Sequence, residues 1–406
     1  MNIVVIDTLI QTINIDGPIR NGLVRSALMD VEALSTRHRV HFMYYGLKPK
    51  ANPKWSALVI GKLGVKDYCN QQGINAKYGF LKVRKDLPAI IHLLKNVRPV
   101  NAMIIHVFIK SKYLQRIAEE FISIPILFIF HDQVYNNDIY SLAYMLKLIA
   151  GLKQLKNSFI ITNSDYTKQG IISLYRNRYS VLRRNFQLKS MTEPHMCFDH
   201  IFKYFAFYPS SREIEIVDNK NYSVNIGRYT TKKGVHYLFG LTRFGNFHIW
   251  LFGHKDEIFD KDLKFFIRLQ DYVQKHPGNY QLCQNYSQQE LQEEAKYGRN
   301  LIISCPSEGF GFTAFEMGIY GLPVIILKKG EFHATEEYLK RIGANYISIN
   351  ILNGPYYKKE LYDAITAIRL TRDEKLLNAR RFFKYFTLQN YLREREELIR
   401  QTGINY

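Results

Sequence analysis

Runs of β-branched and other apolar residues alternate along the chain with stretches whose apolar positions recur at helical spacing. This alternation predicts parallel sheets joined by crossover helices. In the first half the expected strands are 2–7, 39–45, 101–107, 125–131 and 158–163, with a helix over 20–36 after the loop Asp16-Gly17-Pro18. Residues 187–222 interrupt the pattern, with Pro194, Pro209, Ser210 and Ser211 among scattered aromatics. A second series then begins. Its expected strands are 222–227, 247–253, 301–305, 323–327 and 345–350, and its helices 233–242, 262–275, 287–297, 313–320, 332–341 and 358–369. The end, 372–402, reads as helical and charged. The pattern describes an α/β chain of two doubly wound, Rossmann-like domains facing a cleft. Residues 1–188 form the first and 222–384 the second. Residues 189–221 connect them, and 385–406 form a helix returning to the first domain.

In open α/β sheets ligands bind at the carboxyl ends of strands. Two expected strands end in polar pairs, His131-Asp132 and Asn163-Ser164. Two stretches of the second half carry more. In Ile226-Gly227-Arg228-Tyr229-Thr230-Thr231-Lys232-Lys233-Gly234 a strand runs into a helix start, where exposed N–H groups favour an anion and Arg228 and Lys233 would flank a diphosphate. In Ser307-Glu308-Gly309-Phe310-Gly311-Phe312-Thr313-Ala314-Phe315-Glu316 two carboxylates stand eight residues apart across a glycine-broken turn. Gly309 and Gly311 permit close approach of backbone to ligand. The amides of Phe310, Phe312 and Thr313 would face the pocket, and Glu316 would accept from neutral hydroxyls. A carboxylate pair also suits acid/base chemistry. The bland alternative makes Glu308 a helix cap and Glu316 a surface residue.

These two motifs, in this order, resemble those of the retaining glycosyltransferases of the GT-B fold, specifically the family-four group. There a Gly-Arg turn carries a Lys-Gly five residues on, matched by Arg228 and Lys233-Gly234, and a Glu-x7-Glu element is matched by Glu308 and Glu316. The resemblance implies that Arg228 and Lys233 hold the donor diphosphate. It implies that Glu308, Gly309 and Gly311 meet the donor sugar, and that Glu316 holds the ribose hydroxyls. It implies a nucleotide-diphosphate sugar, with UDP the expected carrier, as co-substrate, and neither metal nor other cofactor. Gly17 takes the place of the family's glycine loop, without the double glycine of many members, and His131 that of its histidine near the sugar. A narrower resemblance joins His131-Asp132, Asn163-Ser164-Asp165, Asn185-Phe186-Gln187 and the 226–234 stretch. It is to the α-glucosyltransferases of T-even phages, which glucosylate 5-hydroxymethylcytosine in DNA. It implies Asp132 as acceptor base and the bacterial host cytoplasm as location.

Charge gives the acceptor question its own evidence. The chain of 406 residues carries a net charge of +20. Residues 1–188 hold 26 Lys and Arg against 11 Asp and Glu, whereas the rest is nearly balanced. The excess concentrates in 48–85 and 153–189, including Lys48, Lys50, Lys54, Lys82, Arg84, Lys85, Arg183 and Arg184. A polyanion is the expected partner. The narrower resemblance implies double-stranded DNA with modified cytosine, and the alternative of a peripheral glycosyltransferase of lipopolysaccharide or glycolipid synthesis implies an anionic membrane. Trp55, Tyr68, Tyr78 and Phe80 among the lysines suit stacking beside a flipped base. For the membrane, Leu23, Leu28 and Met29 with Arg20, Arg25, Arg37 and Arg39 would make an amphipathic anchor. A further alternative is a DNA-binding protein with a dead glycosyltransferase site. Cys69, Cys197, Cys283 and Cys305 lack metal-ligand spacing and read as free thiols of a reducing cytoplasm. The N-terminus reads as a strand, not a signal peptide. Asp260-Lys261-Asp262 reads as a solvated helix start, not a metal motif.

Overall fold

The computed structural model describes residues 1–7, 22–45, 55–60, 83–106, 111–130, 157–162, 164–170, 202–204, 215–253, 260–284, 286, 288–308, 310–331 and 333–402. The chain divides into two units, 1–208 with 388–406, and 209–387. The first thus takes 189–208 of the segment expected to connect the domains, and the second takes 209–221.

The first unit is built on seven parallel strands in the order β3-β2-β1-β4-β5-β6-β7. These are β1 Asn2–Asp7, β2 Arg39–Tyr45, β3 Trp55–Ile60, β4 Ala102–Ile105, β5 Ile126–Phe130, β6 Ser158–Thr162 and β7 Phe202–Tyr204. Ile3 to Ile6 pair with Ala102 to Ile105 on one side and with Val40 to Met43 on the other. All of Ile3 to Ile6 and Ala102 to Ile105 are buried, as central strands covered on both faces require. Helix α1 (Gly22–Leu34) turns Ala27, Val31 and Leu34 into the core. Leu28 and Met29, expected at the tip of a membrane anchor, are half-buried. Helices α2 (Val83–Asn96) and α3 (Ser111–Glu120) also belong to this unit.

The second unit has six parallel strands in the order β10-β9-β8-β11-β12-β13. They are β8 Ser223–Ile226, β9 Ile249–Phe252, β10 Tyr280–Cys283, β11 Leu301–Ile303, β12 Val324–Lys328 and β13 Tyr346–Asn350. Its helices are α4 Asp260–Lys275, α5 Gln288–Ala295, α6 Phe312–Gly318, α7 Ala334–Ile342, α8 Tyr356–Ala367 and α9 Arg372–Tyr385. One face of the sheet carries a core in which Leu251, Tyr280, Ile302 and Ile325, aligned by the strand register, meet Tyr229, Phe266 and Leu361. Helix α10 (Leu388–Gln401) belongs to the first unit.

Three expectations need correction. The helix expected over 233–242 is three short 3-10 turns, Thr231–Lys233, Val235–Leu238 and Leu241–Phe244. Gly234 and Gly240 stand between them and Gly245 after the last, all at positive φ; Gly234 and Gly245 end their turns, and the second ends at the extended Phe239. The segment expected as a connection supplies a strand, β7, beside β6. The end 372–402 is helical as expected, as two helices separated at Phe386-Thr387. Asp260-Lys261-Asp262 opens α4, but Asp262 is buried, not solvated.

Candidate nucleotide-sugar site

Strand order reverses at β8 and β11: β9 and β10 lie on one side of β8, and β11, β12 and β13 on the other. A crevice outside the carboxyl ends of these two strands is the ligand position that doubly wound topology creates. Both sequence motifs leave the sheet there.

After β8 the chain runs Gly227-Arg228-Tyr229-Thr230 into the first 3-10 turn. Tyr229 is buried and its hydroxyl donates to the carbonyls of Leu251 and Cys283, tying the loop to β9 and β10. Thr230 caps the turn, its Oγ1 accepting from the Lys233 amide at 3.3 Å. The Ser304 hydroxyl donates to the Lys233 carbonyl at 2.8 Å, and the Asn225 amide donates to Ser304 Oγ at 3.0 Å. Gly234 fits against β11's exit so closely that a Cβ there would meet the Ser304 carbonyl oxygen at 2.0 Å. The Lys233 stem packs over Gly227, where a Cβ would meet Lys233 Cγ at 3.8 Å. Lys233 is thereby aimed across the switch point.

Its target is Glu308. The ammonium donates to both carboxylate oxygens, at 3.0 and 2.9 Å. Burial disfavours both charges, but each partner's charge and hydrogen bonds outweigh it. Lys233 is held above its ordinary value and Glu308 below its own. Glu308 is therefore an ion-pair partner, not a helix cap. The residue before α6 is Gly311, at φ 84, without a side-chain cap bond.

The loop between β11 and α6 is held from α7. His333 is buried. Its Nε2 donates to the Cys305 carbonyl at 2.9 Å, while its Nδ1 accepts from the Thr335 amide at 3.2 Å. That pair of bonds fixes a neutral tautomer, consistent with burial pushing its pKa down. Thr335 Oγ1 donates to the Phe310 carbonyl and the Tyr338 hydroxyl to the Gly311 carbonyl, each at 3.0 Å. Phe310 stacks on Tyr338 with ring centroids 4.7 Å apart. Burial raises the Tyr338 pKa well above its ordinary value, and the charges of Glu308 and Glu316 add to it. Both glutamates thus lie within electrostatic reach of one phenol. Glu316, on α6, is buried, at 8% exposure, and not a surface residue. Burial also pushes the Cys305 thiol up to about 12, so it is no nucleophile at neutral pH.

The structure thus brings Lys233 and Glu308 into contact. It places Arg228 half-exposed on the same loop as Lys233, and Phe310, Gly311, Phe312, Thr313 and Glu316 on the turn and helix beyond Glu308. Two cations, two carboxylates and a turn pinned through backbone carbonyls suit a ligand that is a diphosphate at one end and a polyol at the other. Gly309 lies outside the described residues, as do Gly17, Lys48, Lys50, Lys54, Lys82, His131, Asp132, Arg183, Arg184 and the stretch 185–187. Of Arg84 and Lys85 only the helical backbone is described. Ser164, the described member of its polar pair, caps the turn after β6 by accepting from the Thr167 amide at 3.1 Å. His333, Thr335 and Tyr338 were not singled out in the sequence. The His-Ala-Thr-Glu-Glu start of α7 signals a helix, not what its first residues grip.

No family model matches the chain, and no curated protein matches it. Solved structures do, over nearly the whole length. The N-terminal domain of trehalose-6-phosphate phosphatase from Candida albicans superposes with a TM-score of 0.68 at 14% identity, over 99% of this chain and 97% of that one. Sucrose-phosphate synthase from Thermosynechococcus elongatus gives 0.64 at 12% identity, over 98% of each chain. HepE from Anabaena, in complex with UDP and glucose, gives 0.61 at 13% identity, over 98% and 99%. At such identities the likeness establishes the fold, two parallel-sheet α/β domains of the GT-B type.

Proposed function

We propose that this chain is a retaining glycosyltransferase that moves a sugar from a UDP-sugar to hydroxymethylated cytosine in phage DNA. The observation that carries the donor half is the meeting of Lys233 and Glu308 at the switch point of the second sheet, with Arg228 on the loop of Lys233 and Glu316 on the helix after Glu308. HepE holds UDP and glucose on this fold, which supports UDP as the carrier. Arg228 and Lys233 neutralise the departing diphosphate. Glu308 and the 309–311 backbone meet the sugar, and Glu316 meets the ribose hydroxyls. As the bond from the anomeric carbon to the diphosphate breaks, the acceptor oxygen bonds to that carbon on the same face. The acceptor proton passes to the leaving diphosphate, so retention needs no protein nucleophile. In this reading His131 lies near the sugar and Asp132 orients the acceptor hydroxyl.

The DNA acceptor rests on charge. Basic residues outnumber acidic ones 26 to 11 in residues 1–188, where an extended phosphate backbone would be neutralised. The test is intact-mass analysis of hydroxymethylated duplex DNA, and separately of a glycolipid acceptor in anionic vesicles, after incubation with a panel of UDP-sugars. A one-sugar mass gain on the DNA alone is expected. A gain on the lipid alone replaces the DNA reading with the membrane one, and no gain on either overturns both. The anomeric configuration of the product, read by NMR, checks retention.

A further inference from the structure

Glu308 presents both carboxylate oxygens to the Lys233 ammonium, and neither side chain stands in open water: they are 19% and 25% exposed. The backbone on each side is fixed. Lys233 is held through Thr230 and Ser304, and the start of the Glu308 loop by His333 on the Cys305 carbonyl. Arg228 is near enough for its charge to oppose that of Lys233. The carboxylate is therefore the counter-ion that lets two cations share one loop, and it occupies the ammonium a diphosphate must use. Resting on the donor reading above, we propose that Glu308 is exchanged for the diphosphate when donor binds. This exchange makes the site discriminate the intact nucleotide sugar from the spent nucleoside diphosphate.

The physical argument is a comparison of two displaced states. With UDP-sugar bound, Lys233 turns to the diphosphate, and the freed carboxylate accepts hydrogen bonds from the sugar hydroxyls beside it. Every charge keeps a partner. With UDP alone, the same displacement leaves Glu308 facing a more highly charged terminal phosphate with no hydroxyl between them. Two like charges then share a partly desolvated site. After transfer, re-forming the Lys233–Glu308 pair drives UDP out. The same pair keeps the empty site from filling with inorganic phosphate or other small anions. Specificity here is built by a repulsive element as well as by an attractive one.

The experiment is titration calorimetry of the full chain with UDP and with UDP-glucose, without acceptor, for the wild type, Glu308→Gln and Glu308→Ala. Both substitutions remove the competing charge, and Gln does so at nearly constant shape. UDP is expected to bind about fivefold more tightly to each variant, the scale of a half-exposed ion pair. UDP-glucose is expected not to gain, so its preference over UDP falls. Inorganic pyrophosphate should compete with UDP at lower concentration in the variants, which reads the diphosphate position without the sugar. UDP affinity that is unchanged or weaker in both variants overturns the exchange while leaving the donor site standing. A wild type that binds neither ligand overturns the donor reading and the exchange with it.

Discussion

Gly234 sits at φ 74, and a Cβ there would lie 2.0 Å from the Ser304 carbonyl oxygen. The left-handed backbone alone costs a side chain about 1–3 kcal/mol, and the contact forces β11's exit to move. Gly234→Ala is therefore expected to destabilise the second unit by more than about 2 kcal/mol. It should also weaken UDP binding, because Lys233 is the next residue back; denaturant titration and calorimetry read the two effects. Full retention of both would contradict the packing described. Arg228→Ala is expected to abolish transfer while leaving duplex affinity nearly intact, and Glu316→Ala likewise. A gel-shift titration beside the transfer assay separates the two, and equal loss of transfer and DNA binding would sink the assigned roles. Arg228, Lys233, Glu308 and Glu316 were legible in the sequence because a glycine-flanked base after a strand and a carboxylate pair around a glycine turn are local patterns. His333, Thr335 and Tyr338 were not, since each acts on a carbonyl 25 to 28 residues away and only the fold shows what it grips.

Helix α10 is held on α1 by a buried cluster that also takes in His106, the residue after β4. Asp30 accepts from the Tyr391 hydroxyl at 2.7 Å and from Arg395, and bonds His106 Nε2 at 2.7 Å. The Arg395 guanidinium also lies over the Tyr391 ring, 4.6 Å from its centre. Burial alone would push the Asp30 carboxyl up, but Arg395 and His106 outweigh it and hold the pKa at about 2, against 3.8 ordinarily. A depressed carboxylate contributes stability that is complete above its unfolded value and lost as pH falls toward the folded one. Asp30→Asn leaves Arg395 buried without its counter-charge and should cost the first unit roughly 3 kcal/mol at pH 7. The gap to the wild type should close between about pH 4 and pH 2. Hydrogen exchange of α1 and α10 at pH 7 and pH 3 reads it, and a gap that does not narrow at the lower pH would assign the loss to packing instead. Nothing in the sequence marked this cluster, whose members stand more than 350 residues apart across α1 and α10. The 3-10 series after β8 departs from the expected helix for a different reason. Its apolar positions keep helical spacing, and the glycines at 234, 240 and 245, which decide the outcome, do not break that spacing.

At the scale of the molecule, ten of the thirteen strands among the described residues are visible in the hydrophobic pattern, and the three that are not, β3, β7 and β10, share a position. Each lies at an edge of its sheet. An edge strand has one strand neighbour and need not read as a continuous apolar run, so Phe202–Tyr204 and Tyr280–Cys283 merge with their polar surroundings. Strand β3 lies within the basic stretch 48–85. Trp55 opens it, with its backbone in register with Val40. The cationic charge of 48–85 is nine Lys and Arg against one Asp. Counterion release makes that contribution measurable without a base contact. Replacing Lys48, Lys50 and Lys54 together by Glu should weaken duplex binding roughly uniformly across sequences. If each lysine neutralises one phosphate, the slope of log affinity against log salt should flatten by about 3, at ~0.9 per contact. Fluorescence anisotropy across a salt series measures both quantities. If the duplex slope is unchanged while binding to anionic vesicles falls, the basic face serves a membrane, and the acceptor is a lipid.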